Sequence, residues 1–155
     1  MKTAALFAAL LVVCLGVLLR AQDDMPEAPG KALALRYCTN CHGADQFSSA
    51  RKSGNDWDQT RAIMTEKGLT FSSDADYATV LGYLSTCLGT AAKKININKA
   101  AACELTRILD ISPDEANAIV AYRDKNGSFK DLDGLKKVEG VDPASLDAKK
   151  DAITF

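Results

Sequence analysis

A chain of 155 residues with a formal net charge of −1 has room for one ordinary domain or two small ones. Its hydrophobic content of 47% argues against wholesale disorder. The near-neutral balance argues against a protein whose main work is gripping a polyanion.

Residues 1–21 stand apart. Lys2 provides a short positive start, Thr3 to Leu19 is an almost unbroken apolar run, and Arg20-Ala21-Gln22-Asp23-Asp24 turns abruptly polar. These are the parts of a secretory signal peptide with cleavage after Ala21, although Leu19 sits where a small residue is preferred. The alternative is an uncleaved N-terminal anchor, for which the run is short. Val13 is a poor neighbour for a lipidated Cys14, so a lipoprotein is set aside. Export implies a periplasmic protein, without a membrane span once the signal is removed, in which disulfides are permitted.

Residues 22–30 hold acids, two prolines and a glycine and read as a tether. Lys31 to Tyr37 reads as a short helix leading into Cys38-Thr39-Asn40-Cys41-His42. This is C-x-x-C-H, the pattern of covalent haem c attachment. Two thiols add across the haem vinyl groups, and the following histidine is carried under the iron. His42 is the sole histidine of the chain. A zinc site would need two further ligands, and Cys87 and Cys103 lack a paired spacing.

Gly43 to Asn55 reads as a loop at the haem edge. Asp56 to Gly68 reads as a helix capped by Asn55 or Asp56, with Trp57, Thr60 or Arg61, and Met64 on one face. A second helix starts near Ser73, with Asp76 at near-capping-box spacing, and carries Tyr77, Val80, Leu81 and Leu84 as its apolar stripe. A sixth iron ligand is needed for simple electron transfer, and methionine is the usual one. Met1 is the start and Met25 lies upstream, so Met64 is the candidate. The plainer role of a helical Met is core filler. Trp57 is either a haem-edge residue or core, and Arg51 and Lys52 are either propionate partners or solvated charges. Cys87 and Cys103 remain as a disulfide pair, or as two buried thiols.

This half resembles the small single-haem class I cytochrome c domains found with periplasmic dehydrogenases, over about residues 28–89. The matching features are Cys38 to His42, Trp57 followed by Met64, Gly68-Leu69 and Tyr83-Leu84, while a proline beside the methionine is missing. The resemblance implies His42 and Met64 as iron ligands and a periplasmic redox protein or dehydrogenase as partner.

The first domain is expected over 31–90, a linker over 91–94 and a second domain over 95–155. In the second, Asn98 is read as the cap of a helix carrying Cys103, Leu105 and Leu109. Ser112-Pro113-Asp114-Glu115 is a strong helix start, with a cap, a proline at the first position and Glu at the third. Asp142-Pro143 starts a last helix through Leu146, Lys149 and Ile153. The two turns, Asp110-Ile111-Ser112 and Gly140-Val141-Asp142, lie about thirty residues apart, a helical-hairpin period. No strand-like alternation of useful length occurs, so the fold class is all-α, in two small domains.

Ile95 to Ala100, Ala118 to Phe129 and Leu132 to Val141 resemble the helix-hairpin-helix domain of competence DNA receptors of the ComEA type. Such hairpins bind DNA phosphates through backbone N–H groups of a Gly-hydrophobic-Gly turn. Here Asp110, Ser112 and Asp142 occupy three of the four glycine positions, and a carboxylate there repels phosphate. Residues 93–151 balance eleven basic against eleven acidic side chains, leaving no net positive field.

The expectation is therefore a monohaem electron carrier rather than an enzyme, with the hairpin domain as a docking module. The first alternative is a DNA-binding envelope protein carrying a haem. The second is a haem enzyme such as a peroxidase, for which the chain offers no distal histidine.

Overall fold

The computed structural model describes residues 25–155; the signal segment, its cleavage site and Cys14 lie outside the described residues. The architecture is helical throughout, apart from two strands of two residues each. The first half holds α1 (Lys31–Cys38), α2 (Asp45–Ser48), α3 (Gly54–Glu66) and α4 (Asp74–Cys87). The second holds β1 (Ile95–Asn96), α5 (Ala102–Leu109), α6 (Pro113–Asn126), α7 (Leu132–Leu135), α8 (Pro143–Ala148) and β2 (Ile153–Thr154), with a 3-10 turn over Lys150–Ala152.

In the first half α1 and α3 both pack on α4. α3 starts two residues earlier than the sequence suggested. Ser53 is its cap, and Asp56 is the third helical residue, whose carboxylate accepts from the Ser53 N–H at 3.2 Å. Ser53 wins because the pair then satisfies two end amides reciprocally. α4 is capped by Ser73, whose hydroxyl accepts from the Asp76 N–H at 3.1 Å. Gly30 lets α1 come down on α4: its φ is +99°, and a Cβ there would lie 2.8 Å from Tyr83 Cβ.

The described part of the expected tether, residues 25–30, packs on the first half. Met25 is buried in the core of the first half, and the Pro26 carbonyl accepts from Tyr83 Oη at 2.8 Å. The prolines read as linker, but burial of Met25 provides apolar surface that anchors residues 25–30.

The second half closes around Ile97, Leu105, Leu109, Ile119, Leu135 and Leu146, none more than 1% exposed. Two expectations change here. Asn98 does not cap α5; its amide clasps Phe129, donating to the carbonyl at 2.9 Å and accepting from the N–H at 2.8 Å. The α5 start is held by Glu104, which accepts from the Ala101 N–H at 3.0 Å. The last helix ends at Ala148 rather than running through Ile153. Ile153 and Thr154 pair in parallel with Ile95 and Asn96, and the Ile97 N–H donates to the Thr154 carbonyl at 2.9 Å. Burying Ile153 beside Ile95 draws the C-terminal strand back to the start of the module. No described helix is long and apolar enough to cross a membrane.

The halves are joined by a Cys87–Cys103 disulfide, from the last residue of α4 to the first turn of α5. Beside it, Arg107 Nη2 donates to the Thr86 carbonyl at 3.4 Å, while its Nε and Nη1 are buried with no partner.

Candidate cofactor site and hairpin turns

The first half does not close its core. Between α1, α3 and α4 it leaves a cavity of about 410 Å³, inside the size range of small-molecule sites, roughly 300–1,000 Å³. Tyr37, Phe47, Trp57, Phe71 and Leu84 give the cavity an aromatic and aliphatic wall. Cys38, Cys41, His42 and Met64 all line it. The first three come from the end of α1 and the turn after it; Met64 comes from the last full turn of α3.

The two thiols of the motif are unpaired, Cys38 half-buried and Cys41 exposed. Burial pushes the Cys38 thiol up to about 11, so it stays protonated at neutral pH. A structural zinc site needs four ligands. No group of three or more His, Cys, Asp or Glu converges among the described residues. His42 Nδ1 lies 3.4 Å from the Gly43 carbonyl, which favours a proton on Nδ1 and leaves Nε2 as the coordinating atom. The lining fits a flat apolar macrocycle better than a bare ion, with one imidazole and one thioether as the soft donors.

Trp57 is 3% exposed, lines the cavity, and donates from Nε1 to the Leu88 carbonyl at 3.4 Å. It is therefore both core and cavity wall. Arg51 is not at the cavity. Its guanidinium donates to the Ser48 and Ala50 carbonyls at 3.0 and 2.8 Å, tying down its own loop. The neighbouring Lys52 does line the cavity, its ammonium 5.2 Å from the centre of the Trp57 ring and 2.7 Å from Thr60 Oγ1. A bridge between Lys52 and Gly89 turns residue 52 inward, a long-range pairing that local sequence does not announce.

Sequence reading also missed a polar set on the same wall. Tyr77 Oη donates to Asp58 Oδ1 at 2.6 Å, and Arg61 donates to that oxygen through Nε and Nη2 at 3.2 and 2.9 Å. Tyr77 and Arg61 hold the Asp58 carboxyl below its ordinary range. The i, i+3 spacing of Asp58 and Arg61 was the available signal; the Tyr77 contribution, nineteen residues away, was not.

In the hairpin half, Asp110 takes the left-handed conformation (φ 57°) that glycine would ordinarily fill, and Gly140 takes it in the second turn (φ 84°). Glu115 reaches both turns: it accepts from the Ser112 N–H at 2.8 Å and from the Asp142 N–H at 3.0 Å.

Residues 90–154 match the helix-hairpin-helix motif family. Among curated proteins the chain is 40% identical to ComE operon protein 1 of Bacillus subtilis over 60 residues, 39% of this chain and 29% of that one. It is 41% identical to an uncharacterized protein of Haemophilus influenzae over 63 residues, 40% of this chain and 56% of that one. The chain thus spans less than two thirds of the length of either relative.

Proposed function

We propose that the chain is an exported envelope protein in which a nucleic-acid-binding helix-hairpin-helix module is carried on a haem-binding unit of the c type. The nucleic-acid part rests on the family match over residues 90–154 together with the ComE operon relative. These favour DNA over the docking role that the charge balance alone suggested. The haem part rests on one observation, the single apolar cavity that gathers Cys38, Cys41, His42 and Met64.

Bound there, a haem would supply a one-electron ferric/ferrous couple. Cys38 and Cys41 would hold it covalently, and His42 and Met64 would offer its iron an imidazole nitrogen and a thioether sulfur. A thioether donor raises the potential by favouring the ferrous state. Tyr37, Phe47 and Phe71 would exclude water from the macrocycle, while Lys52, over the Trp57 ring, would be one of the lining cations available to a propionate, with Arg61 and Lys67. A nitrogen and a sulfur donor from the chain itself favour electron carriage as the reading of this cavity.

Salt-dependent retention on duplex DNA tests the module. Binding that weakens steeply between low and physiological salt supports it. A chain that flows through at low salt leaves the second reading, an electron carrier whose hairpin module docks it to a periplasmic redox protein.

A further inference from the structure

The two hairpin turns are built alike but served unequally. Each turn ends in a residue that caps the next helix: Ser112 before Pro113 and Asp142 before Pro143. At the third helical position the first hairpin has Glu115 and the second has Ser145. Ser145 carries no charge, and its hydroxyl donates to Asp142 Oδ2 at 3.2 Å. Asp142 Oδ1 is occupied with its own helix, accepting from the Ala144 N–H at 3.0 Å. The Asp142 N–H is therefore left to the other hairpin. Glu115 Oε1 takes it at 3.0 Å, across 27 residues of chain, while Oε2 takes the Ser112 N–H and the Ser112 hydroxyl, both at 2.8 Å. One carboxylate thus occupies the outward amides of both turns. An ordinary capping box would have engaged only the first.

We propose that Glu115 is a resident anion that ties the two hairpin tips together and competes with phosphate for their amides, so that it sets how tightly the module holds a phosphodiester. The inference rests on the nucleic-acid reading of the module for its consequence, but the competition itself concerns phosphate. A phosphate oxygen offered to the Ser112 and Asp142 N–H groups must displace a carboxylate that already has three donors, and it meets like charge at short range. The depressed proton affinity of Glu115, caused first by the Asp142 N–H and then by Ser112, agrees with a carboxylate held as an anion. Removing the charge should free the tips without touching the closed core beneath them.

The test uses the full chain as wild type, Glu115→Gln, Glu115→Ala and Asp114→Asn. The last removes the same charge from the exposed neighbouring residue. Amide NMR shifts of Ser112 and Asp142 are followed while inorganic phosphate is added, and duplex DNA binding is measured by anisotropy at low salt. Circular dichroism checks that each variant is folded; if the alanine variant is not, the glutamine variant decides. The expected result is a saturable phosphate response of the tip amides in both Glu115 variants and little in wild type or Asp114→Asn. DNA affinity should rise roughly tenfold or more in the Glu115 variants, as relief of a like-charge contact allows, and far less in Asp114→Asn. Equal phosphate responses in all four proteins, no response in any, or an equal gain from Asp114→Asn would overturn the proposal. A phosphate response confined to the Glu115 variants without any DNA binding would uphold the role of Glu115 and overturn the nucleic-acid reading.

Discussion

The two halves of this chain use helices of similar length to opposite ends. In the hairpin half, six large aliphatic side chains fill the centre to at most 1% exposure. In the first half, a comparable set of helices keeps its aromatic residues at the rim of a cavity of about 410 Å³. Interiors are close-packed, and an unfilled apolar cavity costs stability. The two halves thus differ in how far their described side chains close the interior.

The comparison breaks most visibly at the motif. Replacing both Cys38 and Cys41 by alanine should remove covalent haem altogether, seen as loss of colour after acid-acetone extraction, while the hairpin half keeps its fold by NMR. Next in size is a pair of truncations. Leu105→Ala in the closed core should cost about 2–5 kcal/mol in chemical unfolding. Leu69→Ala on the cavity wall should cost the haem-free protein clearly less, since its side chain has fewer atoms to lose contact with. Equal costs would erase the distinction between the halves.

The joint between the halves gives two smaller effects. The disulfide closes a loop of sequence separation 16, so Cys87→Ala with Cys103→Ala should lower unfolding free energy by about 3 kcal/mol in oxidising buffer. Arg107 points the other way. Two of its buried N–H groups lack partners, and desolvation, the largest influence on it, lowers its proton affinity. Arg107→Leu should therefore raise the unfolding midpoint, by about 1 kcal/mol in free energy.

The smallest effect is a pH dependence. Glu115 is depressed by the amides it accepts from. Its contribution is whole above the ordinary glutamate value of ~4.3 and is lost as pH falls through its lower folded value. Glu115→Gln should lower the neutral plateau slightly and so flatten the acid limb of a stability–pH curve, the two proteins converging at low pH, as followed by urea unfolding at stepped pH.

Much of this was legible in the sequence where the controlling interactions are local. Ser73 with Asp76, and Ser112 with Pro113 and Glu115, announce their helices because a cap and its partner lie three residues apart. His42 was picked out by the C-x-x-C-H spacing and Met64 by elimination among three methionines, and both line one cavity. What was not legible depends on distant partners. Asn98 has the chemistry of a cap but is taken by Phe129, thirty-one residues on. Ile153 continues a helical spacing but is drawn into a strand by Ile95. Arg51 and Lys52 are alike in sequence, and only the pairing of residue 52 with Gly89 decides which one faces the cavity. Glu115 was visible as a capping residue, whereas its bond to Asp142 required the second hairpin to be in place.

The most direct test of the cofactor claim is the visible and near-infrared spectrum of the chain exported in a host that attaches haem c, with Met64→Ala beside it. The account predicts one covalent haem per chain, low-spin in the native protein, with a sulfur-to-iron band that disappears in the variant. A colourless protein with Cys38 and Cys41 as free thiols would contradict it.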